Sequence, residues 1–498
     1  MLFNSLEFLI FFPIVVVLYF AFPKKIKQFW LLIASYYFYM CWNAKYIFLI
    51  FFSTVITYCS GLLLERIKGL PLDEKRYIRY KKITIAAGFL LNLSVLCYFK
   101  YMNYFFSVIA AVFRAAHIEL NVPAFDILLP VGISFYTFQA LGYMMDVYRN
   151  EIHAEKNFFK YALFVSFFPQ LVAGPIERSK NLLGQLDKPQ KFSFEAAREG
   201  LLLMLWGFFL KIVLADRIAL FVDTVYGDSQ TYGGGYLIVA TMLFAVQVYC
   251  DFYGYSVIAA GGGRVLGIHL MENFQAPYFA VSVAEFWRRW HISLTSWFRD
   301  YLYIPLGGNR RGKARKYINL MTVFLISGLW HGANTSYIIW GGINGAYQIA
   351  GEIGKPVRDK IVSILGLNRK SFGHRMLQTL GTFLLVDFSW IFFRADGLKD
   401  SLRIIKQIIT VRNPWIFFDG SLYECGLNRA NFWLMLFSLC ILWFADYCKV
   451  KGIQIRQMII RQDYWFRWIF VSLSICGILT FGMWGAAYDA ADFIYFQF

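Results

Sequence analysis

The longest uncharged stretch of the sequence, residues 317–351, contains 35 residues, and His331 is its only ionisable group besides tyrosines. Further uncharged runs cover residues 46–64, 229–250 and 468–488. About 20 apolar residues cross a bilayer core of roughly 30 Å as a helix. Backbone amides in lipid must be satisfied within the segment, which favours helices over open strands. These runs predict a chain that crosses a membrane repeatedly.

Composition excludes the soluble classes that 498 residues could otherwise adopt. Hydrophobic residues make up 58% of the chain and charged residues 16%, against about 25% charged residues in soluble domains. The sequence shows no linker, low-complexity tract or repeat, so we expect one membrane domain over residues 1–498. The predicted fold class is an all-α, polytopic integral membrane protein with about eleven spans. The candidate spans are 5–23, 28–42, 45–64, 83–100, 199–221, 234–260, 317–330, 333–351, 376–393, 430–447 and 468–487.

Three semi-polar segments interrupt this pattern, at residues 125–146, 161–178 and 288–311. The first two are broken by Gly and Pro, and the third carries several charges among aromatic residues. Non-helical backbone at membrane depth persists only where protein or a water-filled cavity covers it. We therefore expect re-entrant or interfacial segments that line a chamber, with a catalytic core over roughly residues 125–351.

The net charge of +18 does not indicate nucleic acid binding, because the positive residues lie in short loops between predicted spans. Residues 65–82, 288–316 and 352–375 are the most basic of these loops. By the positive-inside rule they face the cytoplasm, where they contact anionic lipid. The eight cysteines show no CxxC spacing, so we expect neither a metal site nor a disulfide framework.

Histidine is rare, with six residues in all, and His331 lies inside the longest uncharged run. It stands in Ser-Gly-Leu-Trp-His-Gly-Ala-Asn, residues 327–334. Burying an ionisable group in lipid is costly, so such residues usually serve a site or a pathway. Gly328 and Gly332 flank it and permit close approach of another backbone or a substrate chain. We expect His331 to be functional rather than a structural core histidine.

Two further candidates each have a structural alternative. His291 lies in Phe-Trp-Arg-Arg-Trp-His-Ile-Ser-Leu, which also fits an amphipathic helix at the membrane interface. Asp251 follows a long apolar run, and it either serves a site or pairs structurally with an arginine. In the interfacial alternative, Trp287, Trp290, Trp297 and Tyr301 lie at headgroup level and Arg288, Arg289 and Arg299 contact lipid phosphate.

Together these residues resemble the membrane-bound O-acyltransferase (MBOAT) family, in particular its alginate O-acetyltransferase membrane-subunit branch. The resemblance rests on Gly-Leu-Trp-His-Gly around His331 and on the His291 segment forty residues earlier. Further matching stretches are residues 1–5, 130–139, 172–176, 247–256 and 299–310, the last containing Ile-Pro-Leu-Gly-Gly-Asn. Gly-Gly-Gly-Arg at residues 261–264 departs from the sequence that is usual for the corresponding region of the family.

The resemblance implies a helical bundle around a central tunnel or funnel, in a bacterial cytoplasmic membrane, with His331 and His291 as catalytic residues. No cofactor is permanently bound. Acetyl-CoA, or another acyl thioester, would be the donor from the cytoplasm, and the acceptor a polysaccharide hydroxyl or a secreted SGNH-like acyltransferase. Apolar neighbours would keep the His331 imidazole neutral and able to act as a general base. The candidates for binding substrate or donor are Asn334, Trp330, Asp251, Arg288, Arg289, Arg299, Arg310 and Arg311.

Two other functions remain open from the sequence. The first is D-alanyl transfer from a carrier protein to teichoic acid, which shares the paired histidines. The second is a transporter or flippase of a lipid-linked sugar, with His331 and Asp251 as a proton relay. Transporters usually contain inverted repeats, and none is found in this sequence.

Overall fold

The computed structural model describes residues 1–118, 129–172, 174–188 and 190–484 of the chain, and within these ranges it contains helices and connecting turns but no strand. The first eleven α-helices are α1 Leu6–Ala21, α2 Lys24–Met40, α3 Ile47–Lys68, α4 Glu74–Ala115, α5 Ile133–Tyr148, α6 Phe158–Ser166, α7 Phe168–Leu171, α8 Ser179–Leu186, α9 Phe194–Phe208, α10 Asp216–Gly227 and α11 Gly234–Val265. The remaining ten are α12 Val283–Arg289, α13 Ile292–Phe298, α14 Gly312–His331, α15 Thr335–Ile353, α16 Lys355–Ile364, α17 Phe372–Arg394, α18 Gly397–Thr410, α19 Arg429–Val450, α20 Ile455–Ile460 and α21 Tyr464–Phe481.

One compact unit comprises residues 1–204 and 256–271 among those described. Its centre is α5, in which only Met145 and Tyr148 are not buried. A helix that is apolar on all sides is expected to be enclosed by others, and α3 packs on it so closely that a Cβ at Gly61 would lie 2.8 Å from the Tyr143 hydroxyl. The segment 125–146, expected to be re-entrant, is thus largely a regular buried helix, and its first four residues lie outside the described residues.

A second compact unit comprises residues 205–255 and 272–484 among those described. It contains the two π-helices Phe209–Ala215 and Arg299–Tyr303. Helices α14 and α15 form its tightest pair: a Cβ at Gly328 would lie 2.2 Å from the Tyr337 carbonyl oxygen, and one at Gly341 2.2 Å from that of Phe324. Small residues are the means by which membrane helices bring their backbones into contact.

Six of the described helices are long and apolar enough to cross a membrane. They cover Ala44–Lys68, Glu74–Ala115, Gly234–Val265, Phe372–Arg394, Arg429–Val450 and Tyr464–Phe481. Each of the eleven ranges expected from the sequence falls on helix, although residues 485–487 of the last lie outside the described residues. The all-α membrane fold is therefore confirmed. The count of eleven spans and the single domain over residues 1–498 remain predictions, and residue 125, the lower limit of the expected core, lies outside the described residues.

The backbone contact between α14 and α15 makes a testable prediction. We expect Gly341→Ala to destabilise the detergent-solubilised protein by about 1–3 kcal/mol. The added methyl group would overlap the Phe324 carbonyl oxygen, and this backbone atom cannot move aside without shifting its helix. Gly342→Ala is the matched control, because the nearest atom to its Cβ is a leucine methyl carbon 3.5 Å away. Thermal unfolding of the two variants measures the difference. Equal midpoints would contradict a rigid contact at Gly341.

Candidate active site

His331 is the last residue of α14 and is 4% exposed. Gly332 follows it in an extended conformation (φ −165°, ψ 157°) that ends the helix. The imidazole lies against two aromatic rings, with centroid distances of 5.1 Å to Trp340 on α15 and 5.3 Å to Phe393 on α17. Three helices thus fix the position of this ring.

His291 lies in the turn between α12 and α13 and is 1% exposed. Its backbone is left-handed, with φ +44°, a conformation that is uncommon outside Gly but that Asn, Asp and His adopt more often than other residues. Asn273 stabilises the turn twice: its carbonyl oxygen accepts from Ile292 N at 2.9 Å, and its side chain accepts from Ser293 N at 3.2 Å. The His291 ring packs edge-on against Phe252 of α11, at 4.6 Å between centroids.

The indole of Trp330 connects the two histidines. Its centroid lies 6.0 Å from the His291 ring and 4.9 Å from the His331 ring. Trp330 is itself 4% exposed. The structure therefore brings together three residues singled out from the sequence, in one apolar cluster.

Asn344, which is fully buried on α15, holds the surrounding helices in register. Its amide oxygen accepts from the Trp287 indole at 3.2 Å. Its amide nitrogen donates to the Trp340 carbonyl at 2.9 Å and to the Ser389 hydroxyl at 3.3 Å. Helices α12, α15 and α17 are thereby joined beside the histidines, and buried polar groups satisfied in this way help to specify a single packing.

Burial controls the protonation state of His291, which lies outside the six candidate spans. Loss of hydration disfavours the charged imidazolium, and burial lowers the pKa of His291 to about 3. The ring is therefore neutral near pH 7. A neutral imidazole can accept a proton on one nitrogen while it donates a hydrogen bond from the other.

Asp251 pairs with a lysine in the structure. Its carboxylate lies 2.7 Å from Lys211 Nζ, and that ammonium also lies 2.7 Å from Asp216. All three residues are at most 3% exposed. Asp251, on α11, thus belongs to a buried ionic cluster. The next residue along this helix is Phe252, which contacts His291.

The other candidate residues make contacts of their own. Asn334 caps α15, where its side chain accepts from Ser336 N at 3.1 Å. Arg289 is paired with Glu285, and Arg299 Nε lies 2.8 Å from Asp300. Of the candidate arginines, Arg288, Arg299, Arg310 and Arg311 are exposed.

The interfacial-helix alternative for this segment is wrong for its tryptophans. Trp287, Trp290 and Trp297 are 6%, 1% and 7% exposed, and they pack inside the protein. Side chains that anchor at headgroup level would have to reach the surface. The described residues also contain no group of three His, Cys, Asp or Glu side chains that could hold a metal ion.

Comparison with known proteins decides the family. Residues 149–361, which include both buried histidines, match the family model of the membrane-bound O-acyltransferases. The probable alginate O-acetylase AlgI of Pseudomonas syringae pv. tomato is 37% identical over 86% of this chain and 78% of its own length. The peptidoglycan O-acetyltransferase of Helicobacter pylori is 31% identical over 96% of this chain and 92% of its own. The chain belongs to the membrane-bound O-acyltransferase family.

Membership confirms the resemblance inferred from the sequence, and it makes the chain a multi-pass membrane enzyme that transfers an acyl group to oxygen. A more distant relative, the teichoic acid D-alanyltransferase of Bacillus subtilis, is 25% identical over 45% of this chain and 60% of its own length. An O-acyltransferase requires an acyl donor and an acceptor hydroxyl. The roles of individual residues in this acyltransferase remain predictions.

The sequence did not single out three residues that contact or support the candidate site. Lys211 carried a signal, because it is the sole charged residue between Gly200 and Ala215 and intramembrane charges usually have a role. Phe252 and Asn273 carried none. An apolar residue in an apolar run and an asparagine in a loop are ordinary, and only the tertiary contacts with His291 distinguish them.

Proposed function

We propose that this acyltransferase moves an acetyl group from a cytoplasmic thioester, acetyl-CoA, to a hydroxyl on the outer side of the membrane. The acceptor is an extracellular polysaccharide or a secreted partner acyltransferase that completes the transfer. The proposed catalytic residues are His331 and His291.

The observation that carries this proposal is that two buried imidazoles both pack against the Trp330 indole. Buried titratable side chains are expensive at membrane depth and usually mark a site of chemistry. Both rings lie in apolar surroundings and are held by aromatic contacts. Such fixed groups supply the proximity and orientation that a two-substrate reaction needs.

The chemistry needs a base more than an activating group, because a thioester is already reactive. The His331 imidazole accepts the proton of the acceptor hydroxyl as that oxygen attacks the thioester carbonyl. The tetrahedral intermediate then collapses, the carbon–sulfur bond breaks, and the thiolate receives the proton from the imidazolium. The products are an oxygen ester and a free thiol, and the base is neutral again.

The developing oxyanion requires a hydrogen-bond donor in a place without water. His291, which also packs against Trp330, is our first choice, and Asn334 is the second. The exposed arginines Arg288, Arg299, Arg310 and Arg311 would neutralise the phosphates of the donor, since guanidinium groups bind phosphate oxygens in pairs.

Both histidine rings are enclosed in this structure, so substrates reach them only when neighbouring side chains move. A central tunnel, as the resemblance implies, remains part of the proposal. Loops and domains of many enzymes open and close around their substrates on a microsecond to millisecond timescale.

Acetyl transfer to a glycan is favoured over D-alanyl transfer by the relatives. The two acetyl-transferring relatives cover 86% and 96% of this chain, whereas the D-alanyltransferase covers 45%. The names of the former concern alginate and peptidoglycan, so we propose a glycan hydroxyl as the acceptor class.

Deletion of the gene tests the proposal. We expect the deletion strain to lose ester-linked acetate from its surface polysaccharides and to regain it when the wild-type gene is restored. Mild alkaline release followed by mass spectrometry of acetate and of D-alanine measures both groups in one sample. Loss of D-alanine with unchanged acetate would show that the transferred group is D-alanyl and not acetyl. Loss of neither group would contradict acyl transfer to the envelope.

A further inference from the structure

Helix α11 packs one face against the π-helix Phe209–Ala215 and the end of α9 that precedes it, through contacts at three positions. The Asp251 carboxylate lies 2.7 Å from Lys211 Nζ. A Cβ at Gly254 would lie 3.0 Å from the Gly207 carbonyl oxygen and 3.2 Å from Lys211 N, so the backbones nearly touch. The Tyr255 ring lies 5.5 Å from the Lys211 ammonium. Positions 251, 254 and 255 share a helix face.

The next residue along α11 points to a different partner. Phe252 is rotated by about 100° from Asp251, as the helical period requires. Its ring lies 4.6 Å from His291 and 5.1 Å from Phe274. The rotation and height of α11 therefore determine where the Phe252 ring presses on the imidazole.

The two carboxylates that face Lys211 lie on different helical segments, so their roles can be compared. Lys211 faces two of them, at the same distance of 2.7 Å. Asp216 lies five residues from Lys211 on the same continuous helical segment, whereas Asp251 belongs to α11. Only the second pair connects two helices. Neutralising either aspartate leaves the Lys211 ammonium facing the other carboxylate, so each variant keeps one of the two ion pairs.

We propose that Asp251 is a positioning residue, which acts through its ion pair with Lys211 to fix α11 so that Phe252 holds the His291 ring in place. This inference rests on the proposed function of His291. It assigns Asp251 a role without contact to substrate. It also gives a reason for a buried ion pair at a position where apolar side chains of similar volume are often equally stabilising.

The test compares Asp251→Asn with Asp216→Asn in the full-length protein in membrane vesicles. Both changes preserve side-chain shape and remove one negative charge from the same lysine. Activity is followed as thiol release from acetyl-CoA with envelope polysaccharide of the deletion strain as acceptor. We expect Asp251→Asn to lower kcat at least tenfold without a matching change in the KM for acetyl-CoA, because a small misplacement of a reacting group is costly. We expect Asp216→Asn to remain within about threefold of wild type, since its pair does not connect helices.

A second readout follows the imidazole itself and does not depend on turnover. Diethyl pyrocarbonate labels accessible neutral imidazoles, and mass spectrometry reports each histidine separately. His153, whose side chain is 93% exposed, serves as the internal reference. We expect labelling of His291 to increase severalfold in Asp251→Asn and not in Asp216→Asn. Equal labelling of His291 in the two variants would overturn the proposal.

Phe252 supplies a coupling test. If Asp251 acts through Phe252, Asp251→Asn should change kcat little in a Phe252→Leu background, and the two effects should be strongly non-additive. Additive effects would overturn the proposed route. If His291 variants retain full activity while the labelling difference persists, the proposed function of His291 fails but the positioning of its ring by Asp251 stands.

Discussion

Replacement of His331 by alanine is expected to lower acyl transfer by about 10²–10⁴-fold, the usual contribution of a general base. The imidazole is the group that removes the acceptor proton in the proposed reaction, and the aromatic rings of Trp330, Trp340 and Phe393 pack against it. The ester content of envelope polysaccharide, measured in the deletion strain carrying the variant, reports the loss.

The alanine variant also leaves a cavity among aromatic rings, which costs stability by itself. His331→Phe separates the two effects, because it fills most of the space and lacks a titratable nitrogen. We expect the phenylalanine variant to be as inactive as the alanine variant while its thermal midpoint remains closer to that of wild type. His269→Ala, a change at an exposed histidine, should keep full activity. Transfer that persists in His331→Phe would end the general-base assignment.

Substitution of His291 is expected to have the second-largest effect, and its backbone conformation determines which variants are informative. At φ +44° alanine is strained by about 1–2 kcal/mol, whereas glycine and asparagine adopt this region readily. We therefore expect His291→Gly to fold and to lose about 10²–10³-fold in kcat, as for removal of an oxyanion donor. His291→Ala should be both inactive and less stable than His291→Gly.

His291→Asn distinguishes between the two chemical roles open to the ring. An asparagine amide can donate a hydrogen bond but cannot accept a proton at neutral pH. Partial activity of this variant, well above that of His291→Gly, is expected if His291 stabilises the oxyanion. Activity as low as that of the glycine variant would indicate that His291 takes a proton and would move the donor role to Asn334.

The general architecture was predictable because lipid imposes it. Uncharged runs as long as a bilayer crossing favour helices, and all eleven expected ranges overlap helices of the structure. His331 was recognisable for the same reason, as an ionisable group where such groups are rare. Both inferences follow from the cost of polar groups in hydrocarbon, and that cost can be deduced from sequence.

The contacts that position the site were not predictable, because they depend on tertiary packing. The tryptophans of the His291 segment have a composition that fits the membrane interface equally well, and only their neighbours show that they are buried. Lys211 and Asp251 are forty residues apart, on two separate helical segments. Asn273 stabilises the His291 turn through a loop whose sequence contains no recognisable signal. Helical periodicity indicates which residues share a face, but it does not identify the partner of that face.

The contact between α14 and α15 also limits how substrates can approach the site. Their backbones meet at Gly328 and Gly341 without intervening side chains, so the hairpin behaves as one stiff body. Parting it would break the close backbone packing that joins membrane helices. We therefore expect a passage to His331 to open by displacement of aromatic side chains, such as Phe393 of α17, while α14 and α15 stay together. The acetyl group would then reach His331 along this helix pair rather than between its two helices.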